Sequence, residues 1–174
     1  PSGAASGMAD SKMPDAQSGY EKGSTAVMAG LAGLNMVYET AGMHASLLGF
    51  CLESLIIDND MLGQCLRAVR GVEVTTDTLS VDVMRDVCID GPGHYLGHDA
   101  TIKVMQTEYV YPELADRSSP KEWEENNKPD LLVKATQKKE QILSQFVPEH
   151  ISPHTDELIR QHHNILLGRK DEVA

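Results

Sequence analysis

Cysteine is sparse and badly placed for cross-linking. Cys51, Cys65 and Cys88 are odd in number, widely spaced and set among apolar residues. They form neither a CxxC pair nor a disulfide framework. Buried, reduced thiols are the expectation, and they point to a reducing compartment. Long apolar runs are also missing. No stretch reaches the roughly 18 residues needed to span a bilayer, and no basic segment precedes an apolar one as in a signal peptide. A soluble cytoplasmic protein with no membrane partner is expected. Positive charge is short as well: 15 basic against 26 acidic residues give a net charge of −11. That field repels phosphate backbones and argues against nucleic acid. It tolerates cationic ligands, and it also serves solubility. GxSxG, P-loop and GxGxxG motifs are absent, so no hydrolase elbow or nucleotide cradle is expected.

What is present is enough for a core. The chain has 174 residues, 41% of them hydrophobic, within the range of one globular domain. It begins at Pro1 without an initiator methionine, which leads us to expect a fragment or a processed start. All eight methionines lie between Met8 and Met105. Beyond residue 106 the sequence turns polar and Pro-punctuated. The expected division is a core-forming part over 1–110 and a helical extension over 111–174.

Along the chain, residues 1–13 are small and glycine-rich, suited to a linker or to a cramped strand end. Pro14 and Asp15 suit the first turn of a helix over about 15–34. Gly19, Gly23 and Gly30 weaken it, so close packing must hold it. Residues 34–38 read as a buried strand and 39–45 as a loop. A helical stripe runs over about 47–69, with Asp58-Asn59-Asp60 as a candidate interruption and Gly71 as its end. Thr76 is a candidate N-cap for 77–87. A further amphipathic piece covers 99–106. Ser119-Pro120 with Glu122 forms a capping box. Longer helices are expected over 130–146 and from Ser152-Pro153 to near Gly168, with a frayed tail over 169–174.

Strand, helix, strand, helix is the rhythm of parallel βα units. Two units cannot close a sheet or a barrel. The simplest account is an α/β fold: the C-terminal portion of a (β/α)8 TIM barrel with a helical extension, mostly helical in this stretch. In such barrels the working groups stand on loops after the strands. Ser6, Met8 and Asp10 follow the first expected strand and His44 follows the second. We take Ser6, Met8 and Asp10 as candidate substrate-binding residues and His44 as the candidate catalytic residue. Turn and capping chemistry, or a histidine bonded to backbone, are the plainer alternatives. Phe50 and Glu53 could add an aromatic face and an anion for a quaternary ammonium, unless they only pack a helix. His94 and His98 have the i,i+4 spacing of a metal pair, but Gly97 lies between them and no third ligand stands at recognisable spacing. No metal is expected.

One stretch carries a family resemblance. GPGHYLGH over 91–98 is followed by TEYVYP over 107–112, then DRSS over 116–119 and the Trp123-Glu124 pair. This order resembles the C-terminal region of the trimethylamine methyltransferase (MttB-like) family, and the match covers essentially the whole chain. The resemblance implies the TIM barrel, of which roughly the last third would be present. It implies a methyltransferase that moves a methyl group from a tertiary or quaternary amine to the Co(I) of a corrinoid (cobalamin) carried by a partner protein. The barrel would then hold the amine, aim its methyl group and exclude water, without supplying a nucleophile. The DxHxxG signature of corrinoid carriers is absent, in keeping with a separate corrinoid protein. Some members use pyrrolysine. This chain has none, so a non-pyrrolysine branch acting on betaine-type amines is implied if that position falls near residues 6–10. A non-catalytic helical interaction module, or an inactive barrel fragment, is the competing expectation. Either reading leaves a homo-oligomer open.

Overall fold

A parallel pair of strands joined through a helix opens the structure, a computed structural model that describes residues 1–145 and 150–166. β1 (Gly3–Ala5) pairs in parallel with β2 (Met36–Tyr38), with Gly3 opposite Met36, Ala4 opposite Val37 and Ala5 opposite Tyr38. Between them runs α1 (Ala16–Leu31). A short antiparallel pair follows, β3 (Met43–His44) with β4 (Gly49–Phe50). Then come α2 (Leu52–Arg70), α3 (Thr76–Leu79), α4 (Val81–Cys88), α5 (Asp99–Glu108), α6 (Pro120–Glu125), α7 (Leu131–Gln145) and α8 (Pro153–His162). Among the described residues the fold is mixed α/β, mostly helical, with two small sheets. The chain divides into two compact units, Pro1–Ala135 and Thr136–Ala174. Among the described residues no helix is long and apolar enough to cross a membrane.

Local chemistry explains the helix starts and corrects several expectations. Asp15 is the N-cap of α1 rather than a first-turn residue: its carboxylate accepts Ser18 N–H, and Ser18 reciprocates in a capping box. Thr75, not Thr76, caps α3, and Ser80 at φ 53° divides the expected helix over 77–87 into α3 and α4. The segment 47–69 does not become helical until Leu52, because residues 43–50 are spent on the β3–β4 pair. Asp58-Asn59-Asp60 does not interrupt α2. Its carboxylates bond away from the local backbone: Asp58 reaches Lys22 and Gly42, and Asp60 accepts from Glu113 and Ala115 N–H. The expected Ser119–Glu122 box opens α6, and Ser152 caps α8. Phe146, Gly168 and the tail 169–174 lie outside the described residues.

α1 and α2 pack against each other, with Gly30 of α1 set close to Val69 of α2. A Cβ on Gly30 would collide with Val69 Cγ2. Gly19 and Gly23 face open space, so close packing explains only one of the three helix glycines. The buried apolar set is made of small and medium residues: Ala9, Ala26, Cys65, Val87, Leu114 and Ala135. Of the three cysteines only Cys65 is buried. Cys51 is half-buried and Cys88 is exposed, which corrects the expectation of three buried thiols; all three are free. Large side chains on the parallel sheet remain uncovered, Met36 at 66% exposure and Tyr38 at 47%.

Candidate functional site

The segments leaving β1 and β2 are stitched together by main-chain hydrogen bonds. Ser6 N–H donates to Tyr38 O, Ala9 N–H to Met43 O, Ala45 N–H to Ser11 O and Ser46 N–H to Ala9 O. Gly7 makes the approach possible. It sits at φ +78°, and a Cβ there would stand 2.7 Å from Thr40 O. The two segments behave as one layer above the strand ends.

Beneath that layer lies a buried polar cluster. Lys22 on α1 and Asp58 on α2 form a salt bridge of 2.7 Å. Asp58 Oδ2 also accepts Gly42 N–H at 2.7 Å. Lys22 Nζ stands 3.3 Å from His44 Nε2, and Ser54 Oγ stands 2.6 Å from the same nitrogen. His44 Nδ1 lies 3.1 Å from Ser11 O. A carbonyl can only accept and an ammonium can only donate. His44 is therefore the neutral tautomer with Nδ1–H donating to Ser11 and Nε2 accepting. His44 is 3% exposed and lies in β3. It is not the loop histidine that the sequence suggested: the β3–β4 pair turns residue 44 inward between the two helices.

On the outer side of the same layer is an open cavity of about 520 Å³. Met8, Asp10, Tyr20, Glu21, Ser46 and Leu47 line it. The Asp10 carboxylate accepts the Ser46 hydroxyl across the seam between the two segments. Glu21 Oε2 accepts Asp10 N–H at 2.8 Å, while Gln17 donates to Glu21 Oε1. Two carboxylates and a largely exposed tyrosine ring thus share one cavity. Such a set attracts a cation and offers it an aromatic face. Lys12 is close by, with its ammonium turned onto the Asp10 carbonyl.

The candidate residues separate into four groups. Met8 and Asp10 reach the cavity. Ser6 is buried, its N–H extending the β1–β2 ladder. Phe50 and Glu53 stand apart: Phe50 crowds Gly42 and is half exposed, and Glu53 accepts from Cys51 Sγ. His44 does not line the cavity; its Nδ1 lies 3.1 Å from the carbonyl of Ser11, the residue after Asp10. The sequence reading missed Tyr20, Glu21 and Ser46. In the sequence Tyr20 counts as an apolar position of a helix, although it lies in the second turn of α1, close behind the strand-end segment. Ser46 lay beyond the expected loop. Away from this site, Gly97 at φ +79° keeps His94 and His98 off a common helix. His98 is instead the N-cap of α5, its Nδ1 accepting Ala100 N–H. Among the described residues no three His, Cys, Asp or Glu side chains gather as a metal site.

Comparison with known proteins adds an independent line. The family model for trimethylamine methyltransferase (MTTB) matches residues 1–172. A glycine betaine methyltransferase of Desulfitobacterium hafniense is 34% identical over 157 residues, 90% of this chain and 32% of the relative. A trimethylamine methyltransferase MttB from another strain of that species is 35% identical over 149 residues, 86% of this chain and 29% of the relative. The MttB of Methanosarcina thermophila is 34% identical over 143 residues, 82% of this chain and 29% of the relative. The chain spans about a third of the length of the relatives it matches.

Proposed function

The chain belongs to the trimethylamine methyltransferase (MTTB) family, and from that premise we propose that it is part of an enzyme that demethylates a tertiary or quaternary amine of the trimethylamine or betaine type. Residues 1–110 would supply the last βα units of a (β/α)8 barrel and 111–174 a helical extension. The exposed apolar side chains on β2 support further barrel units beside them. The free thiols support a cytoplasmic location.

The observation that carries the reading is the acidic, tyrosine-bearing cavity on the strand-end layer. A protonated tertiary amine can donate only one hydrogen bond, and a quaternary ammonium donates none. Such a ligand is recognised by charge and by aromatic and methyl contact. Asp10 and Glu21 supply the charge, Tyr20 the face, and Met8 and Leu47 the apolar contact. A corrinoid on a partner protein would supply the metal centre that accepts the methyl group. The cavity fits that division of labour: carboxylates, hydroxyls and a thioether line it, and the nearby imidazole of His44 has Nε2 committed to Lys22 and Ser54. The protein's share is then to hold the cation, to aim it and to keep water away. His44 acts from below, orienting the Ser11 carbonyl. A non-catalytic interaction module is not favoured, since the relatives are named as methyltransferases.

The test uses the full-length protein with a corrinoid protein held reduced. Methyl transfer from trimethylamine, glycine betaine and carnitine is followed optically in a single turnover. Asp10→Asn should weaken amine affinity about tenfold, near 1.4 kcal/mol. Failure of every amine to give transfer refutes the activity. Transfer that is indifferent to Asp10 and Tyr20 substitutions refutes the site.

A further inference from the structure

One buried cation has no direct part in that binding step. Lys22 is 1% exposed, at a position where α1 faces α2. An ammonium is seldom so deeply buried unless paired and hydrogen-bonded. We propose that Lys22 is a positioning residue for the cavity, joining the two strand-end segments through Asp58 and His44 so that Asp10 and Ser46 meet across its wall. The inference rests on the amine-cavity reading for its catalytic consequence, but not for its structural content.

Two arms leave the ammonium. One runs from Nζ to His44 Nε2, and from His44 Nδ1–H to Ser11 O, 3.1 Å away. Ser11 O also receives Ala45 N–H at 3.0 Å. The other arm runs to Asp58 Oδ2, which holds Gly42 N–H, while Gly42 O takes Cys51 N–H at 3.0 Å. Both arms end on the segment that carries Ser46, and the first also fixes the residue after Asp10. The adjacent residue, Glu21, binds Asp10 N–H on the outer side. Consecutive residues of α1 therefore grip the same layer from within and from without. An amide at position 22 could bond to both arms but could not neutralise the buried Asp58 carboxylate. The ammonium does both.

The test compares Lys22→Met with the charge-neutral double variant Lys22→Met/Asp58→Asn in the full-length protein. The double variant removes the stranded carboxylate, so it carries the test should the single variant not fold. Hydrogen exchange is read on peptides spanning residues 42–47, together with KM and kcat for glycine betaine and trimethylamine. In the folded double variant we expect exchange of Ala45 and Ser46 to quicken, and KM to rise about tenfold while kcat stays within about twofold. Lys22→Arg, which keeps the charge and the donors, should restore part of both. Unchanged exchange overturns the inference, whether or not any amine reacts. So does a fall in kcat that tracks the folded fraction at constant KM, the mark of a merely structural lysine. Quickened exchange in a protein that turns over no amine supports the positioning role and refutes the proposed activity instead.

Discussion

Lys22 and Asp58 meet at 2.7 Å between α1 and α2, and water reaches almost none of either side chain. The pair is the main polar tie between the two helices, whose apolar contact includes Gly30 against Val69. Removing one partner strands the other. Asp58→Ala should therefore destabilise by about 3–5 kcal/mol. Glu108→Gln removes the charge from comparable contacts of 2.6 Å to Arg67 and 3.0 Å to Arg70, but there solvent reaches all three groups. Screening limits that loss to about 1 kcal/mol or less. Urea unfolding of both variants in the full-length protein checks the contrast; equal losses would show that burial does not govern the pair.

Acid should loosen the starts of α1 and α6 once their capping carboxylates are protonated. The Glu122 carboxyl is held below its ordinary value of 4.5, first by the Ser119 hydroxyl and then by Ser119 N–H. Asp15 is likewise held below 3.8, first by Ser18 N–H. In both, the folded pKa is depressed, so the stabilisation is present above the ordinary value and is lost as pH falls through the folded one. Trp123 lies one residue after Glu122 and reports on α6, its indole N–H directed at Pro129 O. Its fluorescence should begin to change below about pH 4.5, the ordinary glutamate value. In Glu122→Gln that acid step should disappear, with the neutral signal already moved towards the acid one.

Thiol reactivity follows burial rather than sequence context. Cys88 is exposed, with Sγ 3.4 Å from the Tyr95 hydroxyl. Burial raises the Cys65 thiol above its ordinary pKa, leaving less thiolate at neutral pH. Timed alkylation with N-ethylmaleimide, read by peptide mass spectrometry, should label Cys88 first and Cys65 last, with half-buried Cys51 between them.

The order of these elements was legible where side chains satisfy their own backbone. The Ser119-Pro120-x-Glu122 box and the Ser152-Pro153 start are local, so their residues specify them without help. The parallel β1–β2 pair was legible from its rhythm. What escaped depended on partners far away in the chain. Asp58-Asn59-Asp60 reads as a helix breaker until Lys22, Gly42 and Glu113 are in place to take its carboxylates. Met43–His44 reads as loop because a two-residue strand has no period to detect. In the candidate site Met8 and Asp10 were visible as strand-end residues. Tyr20 and Glu21 were not, since a helical stripe gives no sign of which side meets a cavity. The inward turn of His44 was invisible for the same reason as β3 itself.

Glycines give the sharpest test, because two alanine substitutions should act with opposite sign. Gly19 lies within α1, and a Cβ there would meet nothing within 4 Å. Gly19→Ala lowers the entropy of the unfolded chain and adds helix propensity, so it should stabilise by about 0.5–1 kcal/mol. Gly7 sits at φ +78°, where a Cβ would be 2.7 Å from Thr40 O and 2.9 Å from Thr40 Cγ2. The left-handed conformation alone costs alanine about 1–2 kcal/mol, and backbone cannot step aside as a side chain can. The two strand-end segments must separate to admit the methyl group. Gly7→Ala should therefore lower stability and also weaken amine binding, since the Asp10–Ser46 contact crosses the same seam. Urea midpoints and amine titration of the two variants in the full-length protein provide the check. Loss of stability with intact amine affinity would separate Gly7 from the cavity. A neutral Gly7→Ala would mean that the seam is not closed as described.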